Sequence, residues 1–64
     1  GRVNINTADA QELMTLSGIG EARAEAIIAY REEQGGFASP EQIMEASGIG
    51  EGIYSRIEDQ IAVE

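Results

Sequence analysis

The sequence contains no cysteine and no histidine, and these two absences exclude more chemistry than any residue present supplies. Without thiols there is no disulfide framework and no thiolate zinc site. Without imidazole the usual zinc centres, general bases and hydrolase triads are missing as well. Lysine and tryptophan are absent too, so the four cations are all arginines, set against twelve acidic residues for a net charge of −8. That balance has the wrong sign for a generic nucleic-acid binder. No apolar run approaches the ~18 residues that span a bilayer, and no basic segment followed by an apolar one marks a signal peptide. The chain opens on Gly1-Arg2 without methionine, which reads as a linker or cloning remnant before a domain over 3–63, cut from a longer parent.

What is present suits a small helical domain. At 64 residues the chain holds at most one, near the size where a hydrophobic core alone becomes marginal. Hydrophobic residues make up 42%, but nine are Ala and nine Ile, with one Phe and two Tyr. Side chains of that kind favour closely packed short helices over a large aromatic core.

An internal repeat organises the chain. Residues 12–21 (ELMTLSGIGE) align without a gap onto residues 42–51 (QIMEASGIGE), with six of ten positions identical. A short amphipathic unit cannot bury its apolar face alone, so two such units should pack about a pseudo-two-fold axis. Each copy reads as helix, tight turn, helix, the first over about 7–34 and the second over about 39–60. Thr7 is the expected N-cap of the first helix, and Ser39-Pro40-Glu41-Gln42 supplies an N-cap Ser, a proline at the first helical position and a Gln for a capping box. Ala24, Ile27, Ile28 and Arg31 then follow helical spacing, as do Ile53, Tyr54, Ile57 and Ile61. Gly35-Gly36 ends the second helix in a left-handed cap with Phe37 folded back upon it. These signals predict helices near 8–16, 21–34, 40–46 and 51–60. Val3 and Ile5 alternate with Asn4 and Asn6, and Ile61 and Val63 flank Ala62, so both chain ends are expected as extended strips on the helical core.

The turns carry the candidate chemistry. In Gly18-Ile19-Gly20 and Gly48-Ile49-Gly50, two glycines around one apolar residue allow positive φ at both and pin the turn by burying the isoleucine. The next helix starts at once, so its free N–H groups and positive dipole end face whatever lies at the turn. Backbone amides of residues 18–22 and 48–52 are then donors for phosphate oxygens, with no cationic side chain required. A single Gly-X-Gly between helices is ordinarily a tight turn and nothing more. Two identical Ser-Gly-Ile-Gly-Glu turns at matched positions point to function, because folding tolerates many turn sequences.

The segments Val3-Asn4-Ile5-Asn6-Thr7-Ala8, Leu16-Ser17-Gly18-Ile19-Gly20, Ala24-Glu25-Ala26-Ile27-Ile28-Ala29-Tyr30-Arg31-Glu32-Glu33, Gly36-Phe37 and Ser47-Gly48-Ile49-Gly50-Glu51 together resemble the ComEA family of competence proteins. The resemblance runs from residue 3 to about 63. It implies an all-α, SAM-like tandem helix-hairpin-helix fold of four short helices, non-catalytic and without a cofactor. It further implies a receptor for double-stranded DNA, binding without sequence specificity during natural transformation. Such a receptor would sit on the outer face of the membrane or in the periplasm, in a parent that is itself anchored, beside other proteins of an uptake machinery and with no direct membrane contact by this fragment. Carried over by position, the DNA-binding residues are Gly18, Ile19, Gly20, Glu21, Ala22 and Arg23 in the first motif, and Gly48, Ile49, Gly50, Glu51, Gly52 and Arg56 in the second. The resemblance also suggests a monovalent cation on the carbonyls of Met14, Leu16 and Ile19, and in the second copy Met44, Ala46 and Ile49. Three positions depart from the family: Glu21 stands where Pro is frequent, and Gly52 and Glu58 stand where Lys is common.

Charge placement weighs on this reading. At a Debye length of ~8 Å only charges near a contact matter much. Glu21 and Glu51 stabilise the helix dipole and should weaken an anion site beside them. Arg23 is the best-placed cation, whereas Arg31 suits the end of its helix and Arg56 can pair with Asp59. Glu32-Glu33 and Glu58-Asp59 diverge by about 100° on a helix and form no acid/base pair. Tyr30 and Tyr54 fall in apolar stripes and read as packed rings with hydroxyls at the edge. Two other readings keep the same fold: an acidic protein-interaction module, and a non-catalytic DNA-binding domain of a larger DNA-processing protein.

Overall fold

A computed structural model describes all 64 residues. The order is β1 (Val3–Asn4), α1 (Ala10–Leu13), α2 (Glu21–Gln34), a 3₁₀ helix (Pro40–Glu45), α3 (Glu51–Ile57) and β2 (Ile61–Ala62). Four helical elements appear where the repeat places them, but the fold is mostly helical rather than wholly so. The two chain ends pair as parallel strands, Val3 opposite Ile61 and Asn4 opposite Ala62. Val3 N donates to Gln60 O (2.8 Å) and Ile5 N to Ala62 O (3.0 Å). The extended strips are therefore hydrogen-bonded to each other as well as laid on the core.

Three helices are shorter or tighter than periodicity alone suggests. The first covers Ala10–Leu13, and its N-cap is Asp9, not Thr7. Asp9 Oδ1 accepts from Glu12 N (2.9 Å), and Asp9 N donates back to Glu12 Oε1 (3.4 Å), a capping box that starts two residues after the expected N-cap. Thr7 N instead donates to Asn4 O (3.1 Å) in the preceding turn. At the other end the Thr15 hydroxyl donates to Glu12 O (2.6 Å), taking a carbonyl that a longer helix would use. The segment after Pro40 winds as a 3₁₀ helix, which places Ile43 and Ala46 on one face at the i, i+3 spacing; both are buried. Ser39 makes no side-chain cap bond there, and Gln42 Oε1 accepts from Ala38 N (2.7 Å) in its place. α3 stops at Ile57 because the chain must turn Ile61 inward to pair with Val3.

α2 matches expectation at both ends. It runs from Glu21 to Gln34 and closes on Gly35 with φ 81°, the left-handed cap a glycine adopts without strain. Phe37 folds back into the core and stacks on Tyr30, ring centroids 5.0 Å apart. Asn6 holds this corner by acting as a strand-like partner for Phe37. Its Oδ1 accepts from Phe37 N (2.7 Å), and its Nδ2 donates to Phe37 O (3.1 Å). Arg31, in the last turn of α2, donates to Ile5 O (2.9 Å) and so ties the amino-terminal strip to the helix. The core holds thirteen residues, seven of them isoleucines, with no buried polar side chain.

Candidate functional site

The two hairpins have nearly the same backbone. Gly18 and Gly48 take φ of 80° and 84°. Gly20 and Gly50 take φ/ψ of −94°/−166° and −108°/−167° as N-caps of the helices that follow. Positive φ is thus confined to the first glycine of each turn, a correction to the expectation for both. Ile19 N donates to Leu16 O (3.1 Å) and Ile49 N to Ala46 O (3.2 Å), closing each turn around a buried isoleucine. These two bonds engage Leu16 and Ala46 carbonyls from the set that the resemblance assigns to a cation; a carbonyl's second lone pair leaves that donor set usable.

The second glycine of each turn does different work. A Cβ built on Gly20 or Gly50 meets nothing within 4 Å, and both dihedral pairs suit any residue. Folding does not require glycine there. At Gly18 and Gly48 the reverse holds. Replacing either by alanine is expected to destabilise the domain by roughly 1–2 kcal/mol, because an L residue at that φ is strained. Thermal unfolding followed by circular dichroism measures it, and an unchanged midpoint would contradict the assigned turn geometry.

Beyond each turn a helix starts without a cap from its own chain. The first helical bond of α2 runs from Ala24 N to Gly20 O (2.9 Å), and that of α3 from Tyr54 N to Gly50 O (2.9 Å). The amides of Glu21, Ala22 and Arg23, and of Glu51, Gly52 and Ile53, are therefore left without helical acceptors. Neither N-cap offers a side-chain oxygen, and neither helix start has a side-chain cap bond. Glu21 and Glu51 lie exposed in these first turns, their carboxylates complementing the dipole from outside. α1, by contrast, is fully boxed by Asp9 and Glu12. Chemically, each hairpin presents clustered N–H donors to an anion beside a surface free of side-chain bulk.

Two arginines lie across the pair of hairpins. Arg23 Nε donates to Gly48 O (2.7 Å), while its Nη1 lies 3.5 Å from Gly18 O. Arg56 Nη2 donates to Ser17 Oγ (2.8 Å), so Arg56 reaches the first hairpin and not Asp59. Sequence reasoning ranked Arg23 first among the cations but missed both cross-contacts, since nothing in local spacing signals a partner 25 or 39 residues away.

The remaining candidates lie elsewhere. Glu32, Glu33, Glu58 and Asp59 are all exposed, and no group of acidic side chains converges to hold a metal ion. Tyr30 is packed against Phe37, its hydroxyl donating to Glu45 Oε1 (2.7 Å) and accepting from Gln42 Nε2 (2.7 Å). The Gln42 bond lowers its pKa, but the Glu45 bond, desolvation and the Glu45 charge together raise it above the usual tyrosine value. Tyr54 is raised as well, by desolvation first and then by Glu41 and Glu58. Both phenols stay neutral at physiological pH. An open groove lined by Met44, Glu51, Gly52, Tyr54 and Ser55 runs beside the second hairpin.

Comparison with known proteins gives the family. The chain is 53% identical over 62 residues to ComE operon protein 1 of Bacillus subtilis, which covers 97% of this chain and 30% of that protein. It is 46% identical over 61 residues to an uncharacterized protein of Haemophilus influenzae, covering 94% of this chain and 54% of that one. It is also 44% identical over 62 residues to the human endonuclease/exonuclease/phosphatase family domain-containing protein 1, covering 97% of this chain but 11% of that protein. The chain thus spans about half or less of the length of the relatives it matches. The helix-hairpin-helix motif matches residues 1–62, and with both of its hairpins on view the chain belongs to the helix-hairpin-helix family.

Proposed function

We propose that this domain binds duplex DNA without reading its sequence, holding one phosphate of each strand on the backbone amides of its two hairpins across the minor groove. The observation that carries the reading is the contrast in capping: α1 is closed by its own side chains, while the two helices behind identical turns are left open. The first site comprises Gly18, Ile19, Gly20, Glu21 and Ala22 with Arg23 at its edge. The second comprises Gly48, Ile49, Gly50, Glu51 and Gly52 with Arg56 nearby. The amides hold the phosphate oxygens; nothing in the site performs catalysis. Similarity to ComE operon protein 1, together with the ComEA-like segments, supports a role as the DNA-receptor module of an uptake machinery outside the cytoplasmic membrane.

A surface of net charge −8 makes the interaction weak. It also makes it unusually insensitive to salt, because counterion release scales with the phosphates that cations neutralise. With two or three cationic contacts the slope of log K against log salt should be roughly −2 to −3. A fluorescence anisotropy titration of a labelled duplex of about 20 base pairs, with two unrelated sequences at ~20 and ~150 mM salt, tests this. Saturable binding, equal for both sequences with a shallow slope, is the expected result. No binding at the lower salt overturns the reading in favour of an acidic protein-interaction module, which the excess of carboxylates favours. The similarity to a small part of a much longer nuclease-family protein fits a third setting, a DNA-binding domain within a DNA-processing enzyme.

A further inference from the structure

We infer that Arg23 and Arg56 are positioning residues that brace the two hairpins into one rigid unit, so that their guanidinium geometry, and not their charge, sets the affinity for a two-phosphate ligand. Each guanidinium lies on the first glycine of the opposite hairpin. A Cβ on Gly48 would stand 3.5 Å from Arg23 Nε and 3.6 Å from its Cγ; a Cβ on Gly18 would stand 3.4 Å from Arg56 Nη1. Arg23 links the two turns by itself, with Nε on Gly48 O at 2.7 Å and Nη1 facing Gly18 O at 3.5 Å. Arg56 supplies the reciprocal tie through Ser17 Oγ at 2.8 Å. The backbones joined in this way have no strand pairing or helical hydrogen bond between them.

A planar fork with several fixed donors can serve two acceptors at once, which a lysine ammonium on a flexible stem does not reproduce. Two weak sites held at a fixed separation gain affinity from each other, and that gain falls when the separation fluctuates. The absence of lysine from the sequence accords with a demand for the fork: all the cations are Arg, and three of the four donate to main-chain or side-chain oxygens of another segment. The net negative surface makes this economy of cations meaningful, because the arginines closest to the site have part of their donor capacity committed inside the protein.

The inference rests on the DNA reading for its functional half, so its test has a half that needs no DNA. In the free domain, Arg23→Lys together with Arg56→Lys should lower the amide order parameters of Ser17–Gly20 and Ser47–Gly50 from about 0.85 toward 0.6, with α2 unaffected. The Arg23 Nε–H signal in the wild type should exchange slowly, as a donor to Gly48 O. Unchanged hairpin order parameters, or a rapidly exchanging Nε–H, overturn the brace whatever DNA does. With duplex DNA, the same double Lys variant should bind about ten-fold more weakly while keeping the wild-type salt slope, since no charge is lost. Full rescue by lysine overturns the inference and makes the arginines simple counter-charges. Should the wild type not bind duplex DNA, the proposed function fails, and the order parameters alone decide the brace.

Discussion

Replacing both Gly20 and Gly50 by valine is expected to abolish duplex binding in a domain that still folds. The dihedral angles at both positions lie in the extended region that valine favours, and a Cβ at either one projects into open space. Valine is a poorer N-cap than glycine, which costs on the order of 1 kcal/mol at each helix start and lowers the unfolding midpoint without removing the cooperative transition. What the branched side chain does change is access. It occupies the space through which a phosphate oxygen would reach the amides of Glu21 and Ala22, or of Glu51 and Gly52. A hydrogen bond to a charged group contributes about 1.5–3 kcal/mol, so losing one such contact at each hairpin weakens binding by roughly 100-fold or more. Anisotropy with the single and double variants, beside their far-ultraviolet circular dichroism, separates the contributions. A double variant that is helical and binds like the wild type would remove the amide clamp from consideration.

That experiment rests on features legible in the sequence to different degrees. The two hairpins are visible because the repeat preserves Ser-Gly-Ile-Gly-Glu, and the backbone reproduces it to within about 15° in the angles of the matched glycines. α2 is visible because its apolar spacing and its Gly35 cap agree. The shorter elements are not, since four to seven residues carry too little periodicity to fix a boundary and a single competing bond moves it. Thr15 on the Glu12 carbonyl and Asp9 in place of Thr7 are cases of that kind. The strand pair escapes sequence reasoning for a different reason: Val3 and Ile61 belong to two-residue strands at opposite ends of the chain. The arginine contacts escape it too, because both depend on how the motifs dock. Position alone marks Arg23 as a free cation for DNA, yet docking turns part of its donor capacity inward onto Gly48.

Docking also divides residues that the sequence treats alike, and Ile27 and Met14 show how far. Both are large apolar side chains, but Ile27 is fully buried while Met14 is 40% exposed. Truncating a buried isoleucine to alanine removes its transfer free energy and leaves a cavity, together about 2–5 kcal/mol. A domain of this size rarely has more than about 3–5 kcal/mol in hand, so Ile27→Ala should lower the thermal midpoint by at least ~10 °C or unfold the chain at 37 °C. Met14→Ala should shift it by less than about 4 °C, as a substitution of a largely solvated side chain. Equal midpoints for the two variants would contradict the assigned core. The comparison also calibrates the glycine experiment. Ile27 lies two turns into α2, so a binding defect in Ile27→Ala follows loss of the helix that presents the first hairpin's amides. A defect in Gly20→Val must arise at the amides themselves, and only in the second case should binding weaken while the far-ultraviolet spectrum stays helical.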